Sequence, residues 1–425
     1  MPNALKISLV VSDLSSGGTV RAYLLGLVLK QMGYDIEVVG FQFGTALYAE
    51  PPGGIVVRSL PGRRLPGLLW DVPKLMALIT GDIIYAVKPK PTSFGIGLLR
   101  RWQTRKPLLL DMDDWEMSWY GGDDWQYAPV SLKQRYRDLF KSDGQLRDID
   151  HPLYVKWLER WVSSVNALTV DTNFLQKRFG GVYVPNGKET TLFDPSFYNP
   201  DDIRSRLGLS QYRILMFPGA PRPHKGVEDV LDALELLNQD DLRLVIIGGS
   251  PYDDYDDRLK QRYGKWLIQL PRSPVEKMPE LVSAAHIIVV PQRNSLTAIA
   301  QFPLKLSDGM AMAKPILSTT VGDIPEILGG TGYLVEPQQP QQIADMIEKI
   351  FSHWELAQQK GQQARDRCLE HYGTAAMSKI LYGVLTQIPQ IPCSPKTDRS
   401  PKTTIPPSIS SASPTPETAS KSAIK

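Results

Sequence analysis

Two segments of this 425-residue chain set charged side chains beside helix starts, and a third sets glycines there. In FPGAPRPHKG at 217–226, an apolar run leads into a loop carrying Arg222, His224 and Lys225 just ahead of a helical pattern. A cation at the mouth of a helix N-terminus stabilises a diphosphate whose negative charge grows as it departs. In FPLKLSDGMAMAKP at 302–315, Asp308 falls on a short helix near the carboxyl edge of a sheet, where a carboxylate can accept two hydrogen bonds from vicinal ribose hydroxyls. As plain structure, Asp308 would be a solvated residue and Met310 and Met312 would be packing. In SSGGTVRAYLLGLVLKQMG, Gly17 and Gly18 precede a helix. Glycines let the backbone approach a ligand, although a bare tight turn explains the pair equally well.

Closely spaced aspartates in DMDDWE at 111–116 fit a hard cation, or else hydrogen bonding on the acceptor side of a cleft. The five histidines show no ligand spacing, and only His224 is placed to touch a cleft. The two cysteines, Cys368 and Cys393, leave neither a disulfide framework nor a cysteine metal site, which fits a reducing cytoplasm.

The elements that position these residues alternate. Apolar runs KISLVV, DIEVVGF, IVVRSL, DIIYAV, PLLLDM and ALTVDT are separated by helical patterns, the first over about 19–32. Fully apolar strands between helices imply a parallel sheet covered on both faces. A turn-rich passage with Pro195 and Pro200 follows PNG at 185–187, and a second series then runs RILMFPG, LRLVIIGG, WLIQL, HIIVVP, PILSTT and GYLVEP. Helices are expected near 226–238, 275–285 and 304–312. Two such series give an α/β chain of two Rossmann-like, doubly wound lobes facing each other across a cleft. The first spans 1–195 with an aromatic-rich insert at 113–161, and the second spans 205–365. Polar helices follow from about 341, residues 366–390 pack back toward the first lobe, and residues 391–425 form a disordered tail.

The net charge of +3 is too small for a dedicated nucleic-acid binder. Basic residues nevertheless concentrate at 58–106, where ten face only Asp71 and Asp82, a patch suited to phosphates or an anionic membrane. The insert aromatics from Trp115 to Tyr127 suit sugar stacking or a lipid headgroup layer. No apolar run is long enough to span a bilayer, so membrane contact is expected to be peripheral, from the cytoplasmic side.

Taken together, Gly17-Gly18 before a helix, PNG, the strand-loop-KGV-helix, the IIGG strand end and DGMAMAKPILST with VGDIPEIL resemble, in order, the GT-B glycosyltransferases and specifically their retaining family four. The resemblance covers roughly 5–385. It implies metal-independent transfer of a hexose-type sugar from a nucleoside diphosphate donor, UDP- or GDP-linked, to a glycan or lipid-linked hydroxyl. It implies Lys225 on the donor diphosphate, Asp308 on the ribose, backbone N–H groups at Phe302, Pro303 and Leu304 on the diphosphate and sugar, and Arg222 nearby. Gly17 and Gly18 would line the opposite lobe, with Lys88, Asp113 and Asp114 on the acceptor side. The family's arginine before its lysine is Ala220 here, its first glutamate is Ala300, and Lys88 and Lys90 stand where a histidine is common. FPLKLSD agrees with a P-x-K-L-x-(D/E) subset, in which Lys305 adds charge at the diphosphate. Two further readings remain, a nucleotide-sugar-binding partner that has lost catalysis and a GT-B epimerase.

Overall fold

The computed structural model describes residues 5–129, 131–250 and 253–388. The expected tail and Cys393 lie outside them.

The first apolar series forms a seven-stranded parallel sheet in the order β3-β2-β1-β4-β5-β6-β7. Its strands are β1 Lys6–Val11, β2 Asp35–Gln42, β3 Val56–Pro61, β4 Ile83–Val87, β5 Leu108–Met112, β6 Ala167–Val170 and β7 Val182–Tyr183. The second series forms a six-stranded parallel sheet in the order β10-β9-β8-β11-β12-β13. Here β8 is Arg213–Pro218, β9 Leu242–Ile247, β10 Leu267–Leu270, β11 Ile287–Val290, β12 Ile316–Thr319 and β13 Tyr333–Val335. The central strands are buried along their length, as sheets covered on both faces require. Each order reverses once, between β1 and β4 and between β8 and β11. A parallel sheet opens a crevice where its order reverses, at the carboxyl ends of the strands. The loops there hold Gly17, Gly18 and Lys88 in one lobe, and Arg222, Lys225 and residues 291–303 in the other.

All twelve expected strands form; β7, only two residues long, was not anticipated. The turn-rich passage holds an unexpected helix, Pro200–Arg206. Asn199 caps it, Pro200 fills a first-turn position that needs no N–H, and Asp201 and Asp202 complement its dipole, so its turn signals were a helix start. The insert contributes two helices, Leu132–Phe140 and Pro152–Glu159. Beyond β13 come Pro340–Ser352, Trp354–Arg367 and Thr374–Thr386, the last lying against the helix Gly18–Gln31 of the first lobe. Among the described residues no helix is long and apolar enough to cross a membrane.

Candidate functional site

In the second lobe, β8 runs out at Pro218 into Gly219, whose φ of 129° suits glycine alone. A Cβ there would stand 3.2 Å from Lys305 Nζ, so the absent side chain leaves room for that lysine. Lys225 ends a short 3-10 turn, Pro223–Lys225, and Gly226 then opens the helix Val227–Leu237. Gly226 has φ 67°, and a Cβ on it would fall 1.9 Å from the Pro291 carbonyl, which makes glycine obligatory.

These constraints bring two ammonium groups together. Lys225 Nζ donates to the Ala220 carbonyl at 3.3 Å and contacts Lys305, whose Nζ sits 4.6 Å over the Phe217 ring. Among the described residues neither lysine forms an ion pair. Burial, then Arg222, push the Lys225 amine down to about 8, opposed by Asp114 of the first lobe. Burial and Lys225 push Lys305 well below the ordinary lysine range, with Asp308 opposing. Burial and the cations Lys225, Arg222 and Lys305 also drop His224 to about 4, so it is neutral near pH 7. Arg222 lies 3.9 Å from Asp253.

One residue that the sequence reading missed braces this loop. Arg293, just past β11, forks onto Asp229 at 2.6 and 3.0 Å and onto Glu228 at 3.0 Å, while its backbone N–H donates to the His224 carbonyl at 2.9 Å. The loops after β8 and β11 are thereby locked together.

The helix Leu304–Ala311 carries Asp308, which is 7% exposed and therefore not a solvated surface residue. Met310 and Met312 are buried in the core, as packing requires. Asp308 is ion-paired with Lys188, which follows PNG in the chain between the lobes and was another residue the sequence did not single out. Lys188 is anchored by its backbone, its N–H donating to Tyr372 and its carbonyl accepting from Thr374. Phe302 is buried and meets Tyr372 at 6.0 Å between ring centroids. Pro303 has no N–H, so only Phe302 and Leu304 of that expected trio have one to offer.

The first lobe faces this arrangement with charges that neutralise one another. Lys88, in the left-handed region at φ 69°, reaches Asp113 at 3.2 Å, Asp114 at 2.6 Å and Glu116 at 2.9 Å. Burial opposes its charge, but the three carboxylates outweigh burial and raise its pKa. Lys90 adds contacts to Glu116 at 3.4 Å and Asp150 at 3.2 Å. Asp114 is pushed up to about 6 by burial, which with Asp113 and Glu116 outweighs Lys88. The ammonium of Lys88 thus occupies the centre of the acidic run that suggested a cation. Among the described residues no group of three His, Cys, Asp or Glu side chains could hold a metal ion. Behind it, Arg21 forks onto Asp111 at 2.9 and 3.0 Å. Gly18 lies beneath Lys88, where a Cβ would meet Cε at 3.0 Å, and Gly17 faces the Tyr48 ring.

Across the cleft, Trp119 packs edge-on to His224 with centroids 5.5 Å apart. Lys225, Lys305 and Arg222 therefore gather on one wall with Asp114 in the electrostatic reach of Lys225, Lys88 and Asp113 stand with Asp114 on the other, and Asp308 is held beside Lys188. The insert aromatics divide differently from expectation. Trp115 is core, stacked under Arg178 at 4.1 Å, and Trp125 and Tyr127 pack on His151, each 5.6 Å away.

Residues 200–367 match the family of glycosyl transferases group 1. An uncharacterized glycosyltransferase of Methanocaldococcus jannaschii is 26% identical over 189 residues, 43% of this chain and 52% of that protein. The D-inositol 3-phosphate glycosyltransferase of Corynebacterium diphtheriae is 27% identical over 214 residues, 46% of this chain and 49% of that protein. The chain thus spans about half the length of these curated relatives. Among solved structures, Anabaena HepE in complex with UDP-glucose superposes with a TM-score of 0.67 at 17% identity, covering 90% of this chain and 99% of that one. Two facing parallel-sheet lobes of this likeness constitute a GT-B fold, and the match to glycosyl transferases group 1 falls on its second lobe.

Proposed function

We propose that this protein is a retaining, metal-independent family-four glycosyltransferase that moves a hexose-type sugar from a nucleoside diphosphate donor to a hydroxyl of a glycan or lipid-linked acceptor. The observation that carries this reading is the contact between Lys225 and Lys305, two lysines with depressed pKa values and no ion-paired carboxylate among the described residues. Holding both at the sheet's carboxyl edge is costly unless an anion arrives, and a diphosphate leaving group supplies that anion as the sugar–oxygen bond breaks. The FPLKLSD segment that delivers Lys305 supports membership of the P-x-K-L-x-(D/E) subset, with Lys305 replacing the arginine absent at Ala220. HepE, whose structure holds UDP-glucose, makes a uridine nucleotide the first donor to test, with GDP sugars next.

The chain's own residues then divide the work. Lys225 and Lys305 draw the diphosphate, Asp308 receives the ribose hydroxyls, and Asp113 and Asp114 orient the acceptor hydroxyl on the other wall. A second reading, a binder without turnover, is favoured by Ala300, a fully buried methyl where the family's sugar-contacting glutamate stands. Donor hydrolysis and transfer with purified protein, wild type against Lys225→Ala, separate the two. Wild-type turnover lost in a variant of unchanged circular dichroism supports transfer, equal turnover in both overturns it, and nucleotide-induced stabilisation without any sugar release favours the binder.

A further inference from the structure

We propose that the insert helix Leu132–Phe140 is a docking element that lies on an anionic lipid bilayer. A surface helix ordinarily turns its apolar stripe toward the body of the protein. This one is reversed. Gln134 and Asp138, one turn apart, are its inward residues, Asp138 accepting a hydrogen bond from Tyr127 at 2.8 Å. On the opposite side Leu132, Tyr136, Leu139 and Phe140 are 82%, 60%, 48% and 62% exposed. Their spacing of four, three and one residues makes a continuous outward stripe. The helix is properly begun, with the Ser131 hydroxyl accepting from the Gln134 N–H at 3.2 Å, so the orientation is a property of a formed element.

The occupant follows from charge. Residues 131–147 carry five cations, Lys133, Arg135, Arg137, Lys141 and Arg147, against Asp138, which is buried, and Asp143, which is paired with Arg137. Basic flanks beside an apolar stripe are the pattern of an interfacial helix, the stripe entering the acyl boundary and the cations meeting anionic headgroups. A second copy of this chain seated on the same face by two-fold symmetry would set these cations against their own kind. The patch also extends beyond the helix. Arg147 and Leu65 exchange bonds, N–H to carbonyl at 3.0 Å and guanidinium to carbonyl at 2.6 Å, which ties the segment to the loop bearing Leu69 and Trp70, 59% and 78% exposed. An open groove of about 580 Å³ runs inward from Leu139 past Trp125 and Leu153.

The test is co-sedimentation of the full chain with vesicles of phosphatidylcholine alone, or of equal parts phosphatidylcholine and phosphatidylglycerol, at low and moderate salt. The wild type is expected to pellet with the anionic vesicles and weakly or not at all with the neutral ones. Tyr136→Glu with Phe140→Glu should cut that binding at least about tenfold, and Lys133→Gln with Arg135→Gln should cut it several-fold and flatten its salt dependence. Both pairs are exposed, so circular dichroism should be unchanged. Undiminished binding by the Glu pair, no pelleting of the wild type at either salt, or a wild-type dimer in sedimentation that the Glu pair dissolves would each overturn the proposal. Because Lys225→Ala leaves this surface intact, vesicle binding by that variant separates this proposal from the one on sugar transfer.

Discussion

The two walls of the cleft both present lysines, yet they have opposite electrostatic histories. Lys88 and Lys90 of the first lobe are ringed by Asp113, Asp114, Glu116 and Asp150, and the ring raises both pKa values. Lys225 and Lys305 of the second lobe lean on a carbonyl, an aromatic face and each other, and both are depressed. A buried cation with its anions in place is a structural group, whereas a buried cation without one is a site awaiting an anion. The basic character of residues 58–106 therefore does not make the first-lobe wall of the cleft an anion site, because its two lysines are already spent on carboxylates.

The same substitution made on each wall tests this contrast. Lys88→Met leaves Asp113, Asp114 and Glu116 facing one another without a counter-charge, and breaking a buried network from one side typically costs about 3–5 kcal/mol. Chemical denaturation should show a lower midpoint with an unchanged slope, and an unaltered midpoint would mean that the cluster is wet and its charges independent. In the second lobe, Lys225→Met should cost turnover instead, about 10²–10³-fold if it stabilises the departing diphosphate as a preorganised donor does. Its midpoint should hold or rise. Lys305→Met sharpens the contrast further, since it removes a strongly disfavoured buried charge from a lysine lying on an aromatic ring. A gain of about 0.5–2 kcal/mol in the unliganded protein, with weaker stabilisation by added UDP in a thermal shift, is the trade expected of a site held ready for a ligand. A variant that unfolds more easily would place Lys305 with the structural lysines.

How far the residues themselves announced this division depends on the distance over which each contact acts. The strands were legible because a strand covered on both faces must be apolar throughout, as in IIYAV and LLLDM. The glycine-loop and lysine positions were legible too, because an open parallel sheet offers ligands only the loops at its switch point. The strand β7 was not, since two residues carry no period. Lys188 and Arg293 escaped because their meaning lies in partners at Asp308 and at Asp229, respectively 120 and 64 positions away, and no local pattern reports such pairs. Pairing of Lys88 with the acidic run was equally invisible, so the run read as a possible cation site without its resident cation. The reversed helix was hidden for the opposite reason, because its spacing is that of any amphipathic helix and only the fold tells which face is inward.

The smallest expected effect is on pH dependence, and it distinguishes the walls without any mutation. Burial and Arg222 lower Lys225 from the ordinary lysine range to about 8. Between those values the unfolded chain binds a proton that the folded chain does not, so this group's contribution to stability improves as pH rises through the window. On the proposed function activity should move the other way, because the ammonium assigned to the diphosphate is lost above about 8. The value of kcat/KM, which reports the free enzyme, should then fall toward tenfold per pH unit on the alkaline side. At saturating donor, kcat should persist to higher pH, since a bound diphosphate restores the proton. Lys225→Arg keeps its charge throughout and should lessen the alkaline fall, leaving only what Lys305 contributes, while retaining some turnover. Lys88, raised by its carboxylates, stabilises the fold by a constant amount in this range and adds no pH dependence to it. A kcat/KM profile flat to pH 10 in the wild type would therefore show that the second-lobe lysine is as well neutralised as its counterpart, and the distinction between the walls would collapse.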